Sequence, residues 1–190
     1  MVENIALFIL KKMEQENLVK EENREEYIYA IITTIEKWSV IIGIMILGVI
    51  FQCAIPSLFF LIFFYSLRER TGGYHAKTYR RCFVYSMLVF LSVMYISSQI
   101  ISVYYLLLIT FIACTLIMWM GTINYSEIHM DNEELQNSKK LARYIVFIEF
   151  LFILALIYLN VYPLLYVYCC MAIIVCCISM ILAKITKQEI

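Results

Sequence analysis

The sequence predicts an all-α, polytopic integral membrane protein: a single domain over 1–190 with about six helical arms in three hairpins, preceded by an amphipathic N-terminal helix. Three observations predict it. About 63% of the 190 residues are hydrophobic and only 16% are charged, against roughly 45–50% and 25% in soluble globular proteins. The charges avoid three blocks: 38–67 (30 residues) and 82–126 (45 residues) have none, and 144–183 (40 residues) has only Glu149. These blocks hold 115 residues, more apolar surface than a one-domain soluble core can bury. Finally, all 15 Lys and Arg fall in 1–37, 68–81, 127–143 and 184–190, the stretches that share one side if each block is a hairpin.

In segment 1–37, Ile5, Phe8, Ile9 and Met13 recur at helical spacing, with Lys12, Glu14 and Glu16 off that stripe. This predicts an amphipathic helix, either lying on the inner leaflet or packing on the protein's own cytoplasmic face. Glu3 and an apolar run of only six residues, 5–10, argue against a signal peptide. A crossing takes about 20 helical residues. In the first block 38–55 suffices, but after Pro56 only 57–67 remains, about 16 Å of helix. That second arm is either a short crossing covered by protein or half of a re-entrant hairpin. The second block turns near Ser97, Ser98, Gln99 and Ser102, beside Tyr104 and Tyr105; the third turns near Asn160 and Pro163. Tyrosines at these turns suit the membrane interface, and the basic residues place both termini and the loops 68–82 and 121–143 in the cytoplasm.

Six of the seven cysteines, Cys53, Cys114, Cys169, Cys170, Cys176 and Cys177, lie inside apolar stretches, where free Cys packs as a small hydrophobe. Cys82 differs: it follows Arg80 and Arg81 at the edge of its block, close after Lys77. Positive neighbours favour the thiolate that a nucleophile needs. His75, one of two histidines, lies seven residues upstream. A Cys and a His at a membrane edge suit acyl transfer through a thioester, though the same two residues also read as an interface Cys and a solvated His. On one continuous helix they would stand about 10.5 Å apart along the axis, so the chain must bend between them or the pair must meet across subunits. Gly72 and Gly73 favour the bend, with a loop over 72–75 and a helix starting near 76–79. Their amides are candidates for an oxyanion hole.

Other ionisable residues suggest structure. His129, among Glu127, Asp131, Glu133 and Glu134, matches no metal-site spacing and reads as an acidic solvated loop. Glu149, five residues into its segment, reads as snorkelling to the interface. Ser86, one turn past Cys82, could orient the site or bond to the backbone. No metal, cofactor or nucleic-acid partner is expected.

The run Arg68-Glu69-Arg70-Thr71-Gly72-Gly73-Tyr74-His75-Ala76-Lys77-Thr78-Tyr79-Arg80-Arg81-Cys82 resembles the signature of the accessory gene regulator B (AgrB) family. These are membrane cysteine endopeptidases that process AgrD-type precursors of cyclic quorum-sensing peptides. The signature is a basic residue, Gly-Gly, an aromatic or small residue, His-Ala, and a Cys seven after the His. The resemblance implies Cys82 as nucleophile and His75 as its general base, with Arg70 binding substrate or supporting the loop. It further implies an AgrD-like precursor as partner, a homodimer, and a bacterial cell-membrane location. The basic set Arg68, Arg70, Lys77, Arg80 and Arg81 would meet the precursor's acidic tail or anchor the cytoplasmic side. One departure is that 121–143 lacks the proline common in that loop of the family. The competing readings are a small peptide exporter and a non-catalytic membrane scaffold, neither of which needs Cys82 or His75.

Overall fold

A computed structural model describes residues 2–16, 24–74, 76, 78–99, 102–124 and 131–187. Among them are seven α-helices and no strand: α1 (Val2–Gln15), α2 (Arg24–Ile50), α3 (Ala54–Thr71), α4 (Tyr79–Ser97), α5 (Val103–Met120), α6 (Asn132–Tyr158) and α7 (Pro163–Ile185). Of the three hairpins that the charge-free blocks predict, α2 with α3 and α6 with α7 pack as pairs; α4 and α5 follow each other in the chain but pack elsewhere, α4 on α2 and α7, α5 on α7 and α6. Of the six arms α2–α7, all but α3 are long and apolar enough to cross a membrane.

The first hairpin corrects the reading of Pro56. The chain turns at 51–53, before the proline. Gln52 takes a left-handed φ of 56°, the Gln52 N–H donates to the Val49 carbonyl (3.1 Å), and the Cys53 N–H donates to that of Gly48 (2.7 Å). This paired closure ends a helix without glycine. Pro56 then falls in the first turn of α3, where its missing N–H has no helical acceptor to lose. The second arm is therefore one continuous helix and no broken half-helix. It ends on Arg68, Glu69 and Arg70, leaving apolar 54–67, about 21 Å of rise. Phe60, Leu61, Phe63 and Leu67 are buried on it, and it packs against α2, α6 and α7. Protein covers one side of this short arm, while Ile55, Leu58 and Ile62 on the other side are exposed.

Helix α7 is the other core element. Cys169, Cys170, Ala172, Ile173, Cys176, Met180 and Ala183 are all fully buried. Small thiols and alanines let α3 and α5 approach it closely, which is the packing role predicted for the cysteines. At its start, Asn160 in a left-handed conformation (φ 51°) closes α6, and Pro163 opens α7.

Two further expectations change, and a third is narrowed. In α1, Ala6 and Leu10 are fully buried, and α1 packs on α2 with Glu14 paired to Arg24 (2.9 Å), in line with the packing alternative for this helix. Ile5, Phe8 and Ile9 remain exposed, so one helix presents both a packed and an open apolar face. In the polar stretch 121–143, residues 132–143 are helix, since α6 already begins at Asn132. The acidic residues read as a solvated loop build its start: the Asp131 side chain accepts from the Asn132 N–H (2.7 Å), and Glu134 accepts from the Asp131 N–H (3.3 Å). This is a capping box, with Glu133 and Glu134 at the helix's positive end. Asp131→Ala should lower stability by about 1 kcal/mol, read as an earlier thermal unfolding in detergent. Finally, Glu149 does not snorkel. It is 7% exposed and accepts a hydrogen bond from Ser66 of α3, because on α6 its position faces the bundle.

Candidate active site

The loop joining α3 to α4 lies at the end of the bundle where α5 ends and α6 begins. Its shape is set by what α3 cannot continue through. Gly72, at φ 68°, ends α3 with its N–H donating to the Arg68 carbonyl (3.1 Å). Gly73 follows at φ 138°, a conformation closed to L side chains, and is buried. A Cβ at Gly73 would run into the Arg68 guanidinium and come within 2.7 Å of Ser179 Oγ.

That crowding reflects a staple between the loop and α7. Arg68 Nη1 donates to Ser179 Oγ (3.0 Å), and Nη2 donates to the Tyr74 carbonyl (2.6 Å). The Tyr74 N–H donates to the Ser179 carbonyl (2.9 Å) and Oγ (3.1 Å). One planar guanidinium thus bridges two elements, a geometry arginine provides and lysine does not. On the other side, the Ile123 N–H donates to the Thr71 carbonyl (2.9 Å) and Thr122 Oγ1 to the Arg70 carbonyl (2.9 Å). The start of the 121–143 stretch therefore braces the end of α3. Gly73→Ala should reduce any activity of this site by at least roughly 10-fold while the protein still inserts, checked by comparing activity with membrane abundance.

Helix α4 starts at Tyr79 with Thr78 as its N-cap. The helix start falls within the 76–79 expected for it. Cys82 sits in the first turn, half-buried, with its N–H donating to the Thr78 carbonyl (3.0 Å). Ser86, one turn on, is hydrogen-bonded to its side chain. The charges acting on the sulfur come from other helices: Glu36 of α2 and Arg68 of α3. Tyr65, one turn before Glu69 on α3, is within electrostatic reach of both Cys82 and Arg68. Nearby, Lys37 pairs with Glu69 and stands over the Tyr65 ring (5.3 Å), closing α2 onto α3.

Of the residues the sequence singled out, Cys82, Gly72 and Gly73 lie at this end of the bundle. Arg70, Arg80 and Arg81 are there too, but exposed, placed to meet solvent or a ligand. His75, Lys77 and His129 lie outside the described residues. Sequence reasoning missed Glu36, Tyr65 and Ser179, and it gave Arg68 only a place in the basic set. Glu36 and Arg68 do carry a signal: they lie just outside the ends of the first charge-free block, so a hairpin brings them together.

The family model for AgrB, accessory gene regulator B, matches residues 3–183. A curated relative, "Putative AgrB-like protein 2" of Clostridium perfringens (strain 13 / Type A), is 30% identical over 89 residues, which is 47% of this chain and 42% of that protein. The match thus spans less than half of the relative's length. No solved structure matches the chain. Matched over nearly its whole length, the chain belongs to the accessory gene regulator B family.

Proposed function

We propose that the protein is a membrane cysteine endopeptidase that removes the C-terminal tail of an AgrD-type precursor and holds the remaining core as an acyl-enzyme on Cys82. Family membership supports a role in an agr quorum-sensing system. The observation that carries the finer reading is the half-buried Cys82 thiol beside a loop stapled to α7 by Arg68. A nucleophile and its base need fixed relative positions, and this loop leads from the staple at Tyr74 through His75 to the Cys82 helix.

His75 takes the thiol proton as the sulfur attacks the carbonyl that joins core to tail. When the carbon–nitrogen bond breaks, the imidazolium returns that proton to the departing amine. The core's own cysteine or serine then attacks the thioester, closing a thiolactone or lactone and restoring Cys82. Exchange of one thioester for another is nearly balanced, whereas hydrolysis is strongly downhill. A site at the membrane edge favours the ring by limiting water. The exposed Arg70, Arg80 and Arg81, together with Lys77, bind the acidic tail, and Gly72 and Gly73 shape the loop. The termini and this loop face the cytoplasm, where the precursor is made, and the working unit is a homodimer.

Co-expression with a tagged AgrD-type precursor tests the reading. Release of the tail by the wild-type chain is expected. An intact precursor, exported unchanged, would replace this reading with that of a peptide exporter.

A further inference from the structure

Glu149 of α6 is a buried acid that the reaction at Cys82 does not use. It is 7% exposed. Its Oε1 meets the Ser66 hydroxyl of α3, while its Oε2 is buried with no hydrogen-bond partner. A buried carboxyl with an unmatched oxygen is costly, and in charged form it is costlier still unless a cation stands beside it. Among the described residues none pairs with it. Arg24 and Lys37 pair with other acids, Arg68 is held by Ser179 and the Tyr74 carbonyl, and Arg143 donates to the Met118 carbonyl.

The acid and the hydroxyl line a cavity of about 270 Å³ between α3 and α6. Helix register brings them there: Ile145, Ile148 and Phe152 share a face of α6 with Glu149, and Ile62 shares a face of α3 with Ser66. Ile62, Ile148 and Phe152 are exposed, so in a membrane-spanning bundle the cavity opens sideways onto lipid. Apart from Glu149 and Ser66 its lining is hydrocarbon, and Cys82 is not part of it.

Ser66 suits an acid that takes two forms. Its hydroxyl is within hydrogen-bond distance of both the Phe63 carbonyl (3.0 Å) and Glu149 Oε1, yet it has one proton to give. A neutral Glu149 donates to Ser66, which donates to Phe63. An ionised Glu149 accepts from Ser66 instead. The same contacts serve both forms, and Oε2 is left for a ligand.

We propose that this groove is a binding site for an aliphatic primary amine carried on a membrane-soluble chain, with Glu149 as its counter-ion. The amine reaches the groove through the bilayer uncharged, because its charged form is costly there. At the site the carboxylic proton passes to the amine nitrogen. The ammonium so formed donates to Oε2, and the carboxylate accepts from Ser66. Proton and charge balance within the pair, and the alkyl chain lies along Ile62, Ile148 and Phe152. The site is independent of the chemistry at Cys82.

Two measurements on the full chain in phosphatidylcholine vesicles test the proposal. Dicyclohexylcarbodiimide, an apolar reagent that adds to protonated carboxyls, should label wild-type Glu149, with the adduct located by mass spectrometry and lost in Glu149→Gln. Dodecylamine should reduce that labelling by at least roughly 5-fold. Dodecanol has the chain without a basic nitrogen, and dodecyltrimethylammonium brings the charge but cannot take up the proton, so neither should protect. An unlabelled wild-type Glu149, no protection by the amine, or equal protection by either control overturns the proposal. Thermal unfolding gives the second reading. Dodecylamine should raise the wild-type midpoint by about 3 °C or more relative to dodecanol. It should not do so in Glu149→Gln, nor in Ile148→Trp, which narrows the groove and leaves the acid in place. No rise in the wild type, or a rise that persists in both variants, overturns the proposal.

Discussion

Cys82→Ala should abolish release of the precursor tail, with a loss of roughly 10⁴-fold or more, because no other group can supply the acyl-enzyme. Nothing in the fold needs the sulfur. Cys82 is half-buried in the first turn of α4 with Ser86 as its side-chain partner, and alanine favours helix. The variant should accumulate in the membrane at wild-type levels. Cys82→Ser sharpens the point: it keeps size and hydrogen bonding but replaces a thiol by a hydroxyl that ionises far less readily, so it should be comparably inactive. Western analysis of the tagged precursor, normalised to membrane abundance, reads both variants.

Arg68→Ala should be nearly as damaging, lowering cleavage by roughly 10²-fold or more. It removes the bonds to Ser179 Oγ and the Tyr74 carbonyl and leaves Gly73 against an empty space. It also removes a positive charge that acts on the Cys82 sulfur from a neighbouring helix. Arg68→Lys should not restore activity, since a single ammonium does not span both acceptors. Arg70→Ala, two residues away with an exposed side chain, should change cleavage only a few-fold. Limited proteolysis between α3 and α4 should show increased cutting in Arg68→Ala and little change in Arg70→Ala.

The contrast between Arg68 and Arg70 shows how far the sequence can be read. Block lengths and basic residues predicted three hairpins because membrane thickness and charge exclusion act on each segment alone. The Gly-Gly turn and the start of α4 were legible for the same local reason. Which arginine holds the loop was not, because that depends on Ser179, over 100 residues away on α7. Glu36 is similarly hidden: its relation to Cys82 exists only once α2 and α4 pack in parallel. Pro56 misled because proline marks a break inside a helix but is tolerated in a first turn. Only the left-handed Gln52 reveals where the chain actually turns. Glu149 misled because position along the segment was taken as depth, whereas the side of α6 it occupies decides its burial.

The central claim is a covalent acyl-enzyme on Cys82, and its direct test is mass spectrometry of the wild-type chain rapidly quenched in acid during turnover with a tagged AgrD-type precursor. The account predicts an adduct with the mass of the precursor lacking its tail, located on the peptide containing Cys82 and released by hydroxylamine. Tail release with no such adduct, together with continued cleavage by Cys82→Ala, would contradict it.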